Sequence, residues 1–459
     1  MSPATPIDSA YAQAFRCIGS DCEDTCCHGW SVPVDRATFE KYQSLPPSPL
    51  RALISESITR NVDRTPSTSG AQASASHTAF AQIRMDSANL CPMLTGNHLC
   101  RIHAELGEGM LSHACATYPR IVHELGDYHE TALALSCPEA ARLVLLDRDL
   151  LAPKPPTPPQ PDARQPHAAP PEFNPEDGPQ ALPPDYIQIR ELVLSVVRIR
   201  SYPLWQRMFL LGLMCRRLDA IARGELNRSV TEFVADFRAA VKSGSLRPAM
   251  ETLPVDPSAQ LDVVLRLAGM LLHRSNVSPR FADCVQAFTS GIGNGPDATL
   301  DSLTRQYALA HDFSYEPFFR RQPHILENYL VNTVIRCQFP FGRDGMQPGA
   351  VPQRSKEFSK LTAQFTLIRG LLIGVAGFHG AAFSSAHVVK TVQTAAKHFE
   401  HHPEFLNLAY ELLLESQMDG ARGMAILLRN APPLTARAGQ PRMQAPAPYS
   451  SGPGATTAP

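Results

Sequence analysis

The chain has 459 residues, enough for roughly two or three ordinary domains and a sizeable core without covalent staples. Lys plus Arg (42) nearly balance Asp plus Glu (43), for a net charge of −1. No overall field draws such a chain to nucleic acid or to an anionic membrane, which leaves another protein or a small molecule as the expected partner.

The first residues, MSPATPIDSAYAQAFRC, carry no basic segment followed by an apolar run, so no signal peptide is expected. The expected location is cytoplasmic, where thiols stay reduced. Cys17, Cys22, Cys26 and Cys27 then fall within eleven positions, followed by Trp30. The polar stretch Arg64 to Thr78 reads as a surface loop. Pro92 and Gly96 predict a turn that brings Cys100 back near Cys91. Cys115 and Cys137 follow, and Pro138 is expected to start a helix.

Residues 1–150 are therefore read as a cysteine-rich metal- or cluster-binding domain. Prolines and polar residues make 151–185 an expected linker or disordered insertion. Residues 186–430 read as an all-helical domain of about eight to ten helices, and 431–459 as a disordered tail. Pro203 can open a helix carrying Leu204, Met208, Leu211, Cys215 and Leu218, with Gly224 to end it. Ser229 and Glu232 fit a capping box ahead of Phe233, Phe237 and Val241. Leu326, Leu330, Val334 and Cys337 share one helix face, as do Phe358, Leu361, Phe365, Ile368 and Leu372. The apolar run Leu371 to Phe383 is broken by glycines and a histidine and falls short of the roughly 20 residues of a membrane span. The glycines of Ser290 to Gly295 read as a helix end and turn, and no strand–GxGxxG–helix unit signals a dinucleotide fold. The fold class expected is mainly α: a cysteine-rich metal-binding N-terminal region followed by an all-α region.

Eight of the eleven cysteines precede residue 138; Cys215, Cys284 and Cys337 sit singly in helical patterns and read as core. Convergent thiolates are soft, charged ligands suited to zinc or iron–sulfur clusters. A disulfide framework is disfavoured by chain size and the missing export signal. Plain structural zinc lacks its usual CxxC pairs. Cys26 and Cys27, being adjacent, cannot point the same way in a regular element, so they can serve different ions or one non-regular loop. Eight thiols also exceed the four that one cluster needs. Cys22 and Cys26 give a CxxxC pair, but Gly29 stands where a radical S-adenosylmethionine enzyme has its third cysteine. His28, His98, His103, His113 and His123 can substitute as ligands, although each is more often a surface or packing residue. Asp35 and Glu139 are second-shell acceptors or, more simply, helix N-terminal charges.

The segments 15–35 (FRCIGSDCEDTCCHGWSVPVD), 91–107 (CPMLTGNHLCRIHAELG), 111–120 (LSHACATYPR) and 135–143 (LSCPEAARL) together resemble the flagellin lysine N-methylase family. That family lies within the CxxCxxCC group named for zinc or iron chelation. Residues 324–342 and 358–376 also look like the family, so the resemblance covers most of the chain outside linker, loop and tail. It implies methyl transfer from S-adenosylmethionine to lysine ε-amines of flagellin. It also implies an iron–sulfur cluster, expected as 4Fe–4S with zinc as the alternative. The metal ligands it carries over are Cys17, Cys22, Cys26, Cys27, Cys91, Cys100, Cys115 and Cys137, with Trp30, Asp35, Tyr118, Pro119 and Arg120 as motif companions. Tyr118 is the one catalytic candidate, as a proton relay, against simple packing beside Cys115. The alternative function is a non-catalytic zinc- or iron-binding helical interaction protein.

Overall fold

A computed structural model describes residues 10–30, 32–61, 80–125, 128–152, 182–273, 277–347 and 349–430. Most of the expected linker, the Arg64–Thr78 loop and the expected tail lie outside the described residues.

Strands occur, among the described residues, only in the first third of the chain, and they are short. Val32–Val34, Ala81–Ile83 and Ile58–Arg60 form an antiparallel sheet with Ala81–Ile83 in the middle. Val32 stands opposite Ile83 and Val34 opposite Ala81, so the two-residue alternation buries one face of each strand. That face joins Tyr42, Ile54, Met93 and Ile102 in a small core of its own. Helix Arg36–Gln43 starts where the Asp35 carboxylate takes the Thr38 amide at 2.8 Å, and helix Pro49–Ser57 starts on a Ser48 cap with proline in its first turn.

The next segment belongs to a different core. Hairpin Arg120–Leu125/Tyr128–Leu133 and helix Pro138–Leu146 pack with the C-terminal helices, so Leu133, Val144 and Leu145 share one large apolar cluster with residues beyond 186. Asn332 ties the hairpin down: its side chain accepts the Leu133 amide at 3.0 Å and donates to the Leu133 carbonyl at 2.8 Å. The buried Arg190 guanidinium grips Glu130 with two bonds, of 2.8 and 2.6 Å.

Between 186 and 428 the described residues hold fourteen α-helical segments, against the eight to ten expected. The surplus includes three pieces of four to six residues, Arg247–Glu251, Glu316–Arg321 and Gly342–Gly345, too short for a periodic signal. Helix Leu204–Ala222 follows Pro203, and Val230–Ser243 carries the Ser229/Glu232 capping box. The longest helix, Arg354–His379, runs through the middle and buries 19 of its 26 residues on all sides. It extends well upstream of the Leu371–Phe383 run, so it is long and apolar enough to cross a membrane, contrary to the expectation from the run alone. The most apolar window is 89% buried within this protein, which makes it a core helix here. Its glycines permit close crossings: a Cβ on Gly370 would strike Val264, and one on Gly374 would meet the Phe288 carbonyl oxygen at 2.7 Å.

Candidate metal centre

A single 3₁₀ turn, Gly19–Asp21, folds the chain between Cys17 and Cys22. The loop that follows is clamped by helix Ser385–Phe399. Lys397 Nζ donates to Asp24 Oδ1 at 2.9 Å and to the Thr25 carbonyl at 2.8 Å, while Gln393 Nε2 reaches Asp24 Oδ2 at 2.8 Å and the Ser136 carbonyl at 2.9 Å. Burial pushes the Asp24 carboxyl up, but the Lys397 charge and these hydrogen bonds outweigh it and hold it below its ordinary value. The Cys91 amide bonds the Cys27 carbonyl at 2.8 Å, which pins the second cysteine segment on the first. The predicted turn after Cys91 forms, with Leu94 bridged to Cys100. Asp35 caps helix Arg36–Gln43 and also takes the His113 amide at 3.1 Å, so it fixes the short helix that carries Cys115. This is the simpler of its two readings.

Five thiols, Cys26, Cys27, Cys91, Cys100 and Cys115, line one cavity of about 30 Å³, closed by Trp30, Tyr42, Ile102 and Tyr118. Cys26 and Cys27 hold their sulfurs 3.9 Å apart. The bond to Cys26 pulls the Cys27 thiol down; its bond to Cys91, burial, and the like charges of Cys91 and Cys115 push it up to about 12. Tyr42 is raised by burial and then by Cys115, Cys100, Asp35 and Cys91, and it lines the same cavity as those three thiols. The remaining sulfurs, those of Cys17, Cys22 and Cys137, do not line this cavity. Burial pushes Cys22 up to about 11, with Glu23, Cys17 and Cys26 adding to it. Cys137 is raised by burial, then by Cys22 and Cys26.

The donors are all sulfur, the set that suits soft metals. The cavity exceeds the roughly 10–15 Å³ that one water needs. Among the described residues no three His, Cys, Asp or Glu side chains are placed to grip a single metal ion. The thiols ring a space rather than meet at a point.

None of the five candidate histidines lines this cavity. His28 bridges to Leu90, His98 occupies the turn with φ 63°, and His123 Nε2 lies 2.9 Å from the Arg336 carbonyl. Glu139 pairs with Arg142 at 2.9 Å in the first turn of its helix. Tyr118 is half-buried, its hydroxyl 3.1 Å from Ser136 Oγ, which lies 2.9 Å from His401 Nε2. Burial and the Cys137 and Cys26 charges hold the Tyr118 proton well above its usual range. Burial lowers His401 to about 3, so its ring is neutral near pH 7. Trp30 stacks on His401 at 4.8 Å and donates from Nε1 to the Cys26 carbonyl at 2.7 Å.

Trp30, with Ile83, also lines an open polar cleft of about 460 Å³ whose wall includes Thr59, Asn61, Gln82, Arg84 and His402. Sequence reasoning missed Gln393, Lys397, His401 and this cleft. The only local signal was a run of polar residues near the end of a helical pattern.

The sequence profile of the FliB lysine N-methylase C-terminal domain matches residues 190–427. A flagellar biosynthetic protein, FliU, of Salmonella muenchen is 31% identical over 153 residues, which are 33% of this chain and 83% of that protein. Proteins called lysine-N-methylase from Salmonella typhimurium and Salmonella choleraesuis are 31% identical over 153 residues, spanning 35% of their length. No solved structure matches the chain.

Proposed function

The chain belongs to the family of the FliB lysine N-methylase C-terminal domain, and from that premise we propose that it moves the methyl group of S-adenosylmethionine onto lysine ε-amines of flagellin. The names of its relatives, a flagellar biosynthetic protein and lysine-N-methylases, support this reading. The observation that carries it is the wall shared by a thiol-lined cavity and an open polar cleft, with Trp30 facing both.

Cys27, Cys91, Cys100 and Cys115 would hold an iron–sulfur cluster of the 4Fe–4S type, with zinc as the alternative occupant. When bound, the cluster would supply a redox-active iron centre. The chain's own residues do the rest. A free lysine titrates near 10.4 and must lose its proton before it attacks. Arg84 puts positive charge in the cleft wall, and the described lining residues contribute no carboxylate, so the neutral amine is favoured there. The Trp30 indole offers an aromatic wall for a sulfonium cation. The amine lone pair forms the new N–CH₃ bond while the S–CH₃ bond breaks and its electron pair stays on sulfur. Holding both partners in the cleft supplies much of the rate in such a displacement. Tyr118, Ser136 and His401 form a hydrogen-bonded chain against which the Trp30 ring stacks.

The test uses the full chain purified without oxygen, isotope-labelled S-adenosylmethionine and unmethylated flagellin, read by peptide mass spectrometry. Labelled methyl groups on flagellin lysines are expected. A folded, metal-loaded chain that labels no lysine would overturn the proposal and leave a metal-anchored interaction scaffold in its place.

A further inference from the structure

We propose that the helical part of this protein holds a second small-molecule site, which takes a small organic acid that also carries a hydroxyl or amino group. The site is a cavity of about 340 Å³ between helix Pro257–Leu272, helix Leu300–Ala310 and the chain at Arg429 and Asn430. Cavities of that size hold small ligands. Its wall shares no residue with the thiol cavity or the Trp30 cleft, so it is distinct from the proposed methyl-transfer site.

The fold leaves several polar groups on this wall unused. Asp301 and Arg305 stand four positions apart on one helix, the spacing of an ion pair, yet neither has a charged partner among the described residues. Thr304, beside Arg305, has a buried hydroxyl oxygen that bonds nothing among the described residues. The helix then widens into a π-turn, His311–Tyr315, a rare element that recurs at functional sites. His311 and Asp312 both reach the cavity, with His311 Nδ1 2.7 Å from the Asp312 carboxylate. An ionised carboxylate only accepts, so Nδ1 carries the proton of that bond and Nε2 is left as the ring's other polar atom. His311 is 7% exposed, and its Nε2 makes no hydrogen bond among the described residues. Its partner must come from the cavity.

Positive charge gathers around the same space. Arg429, on the wall, is held by the Glu251 and Leu253 carbonyls and lies 5.1 Å over the Trp205 ring. The buried Arg369 donates to the carbonyls of Leu427 and Leu428. Gln260, which lines the cavity, shares the Leu427 carbonyl at 3.3 Å and takes the Tyr307 hydroxyl at 3.1 Å. None of Arg305, Arg369 and Arg429 has a carboxylate partner among the described residues, and carbonyl dipoles carry no net charge to neutralise them. Three guanidiniums therefore stand against the two carboxylates of Asp301 and Asp312, and Asp312 is already bonded to His311. An acid group in the cavity would offset the excess where burial strengthens the attraction most. Asp301 and His311 Nε2 then remain for a hydroxyl or amine of the same molecule.

The full chain is titrated by calorimetry with citrate, phosphoserine and adenosine monophosphate, each an acid that also has a hydroxyl or amine. Glycerol, with hydroxyls and no acid, is the control. At least one acid is expected to bind at a single site with a Kd below about 1 mM, and glycerol not at all. Arg305 is exposed, so Arg305→Gln leaves the core intact; it should weaken binding by about tenfold or more. Thr304→Val should weaken it a few fold, yet leave the melting temperature of the unliganded chain unchanged or higher, because the lost hydroxyl bonds nothing in the fold. No binding by any of the three acids, or full affinity in Arg305→Gln, would overturn the site. Affinity lost in Arg84→Gln and kept in Arg305→Gln would also overturn it, by placing the acid in the Trp30 cleft.

Discussion

His398 shows how one side chain reports on its surroundings. Its Nδ1 lies 2.8 Å from the Thr394 carbonyl and its Nε2 accepts the Ser278 amide at 3.2 Å, with Phe281 stacked 4.4 Å away. That pairing requires a neutral ring, because a second ring proton would face the Ser278 N–H. Burial lowers the ring to about 4 from the ordinary 6.5, outweighing the Thr394 carbonyl. The unfolded chain therefore takes up a proton that the folded chain refuses. The contribution is whole above about pH 7 and is lost progressively as pH falls from about 6.5 toward 4, amounting to about 2 kcal/mol by pH 5. Urea unfolding at a series of pH values should show wild type losing that much more than His398→Gln between pH 7 and pH 5; equal slopes would contradict the assignment. At this scale the sequence was informative where a residue acts locally. Asp35, Pro138, Ser229 and Glu232 all sit where capping and helix-start chemistry put them. Gln393, Lys397 and His401 were illegible because their partners lie some 260 to 370 positions away, and a polar run at the end of a helical pattern does not single them out.

Among the elements, helix Arg354–His379 is where periodicity misled. Phe358, Leu361, Phe365, Ile368 and Leu372 do share a face, but the other faces are buried too, so no amphipathic stripe marks its true extent. Its crossing with helix Pro279–Gly291 is a backbone contact. A Cβ added at Gly291 would collide with the Gly374 carbonyl oxygen and stand 2.7 Å from the Phe378 amide nitrogen. Backbone cannot step aside as a side-chain tip can, so Gly291→Ala should cost at least the 1–3 kcal/mol typical of overpacking. Gly269, inside helix Pro257–Leu272, meets nothing within 4 Å of an added Cβ. Gly269→Ala should be neutral or stabilising by up to about 1 kcal/mol. Chemical denaturation of the pair checks this; equal stability for both variants would mean the two helices do not cross as described. Three of the five described strands were invisible for a related reason: at three residues each they are too short to show an alternation.

For the whole molecule, the cysteine-rich region and the helices are not stacked as separate bodies. Tyr11 reaches Asn332 at 2.9 Å, Arg190 holds Glu130, and Lys397 and Gln393 hold the Cys22–Cys26 loop, so the helical part sets the position of the thiols. The division into a cysteine-rich part and a helical part was legible because cysteines and helical periods occupy different stretches. The mutual arrangement was not, because it depends on buried polar contacts between distant segments. The central claim is that lysine methylation depends on the thiol cavity. Cys91 and Cys284 are equally buried thiols, 6% and 4% exposed, one lining the cavity and the other packed in the helical core beside Thr394. The direct measurement is the rate of labelled methyl transfer to flagellin lysines by wild type, Cys91→Ser and Cys284→Ser, each purified without oxygen. Cys91→Ser is expected to lose at least 100-fold in rate, about 2.7 kcal/mol of transition-state stabilisation, while Cys284→Ser stays within a few fold of wild type. Transfer by Cys91→Ser at the wild-type rate would contradict it.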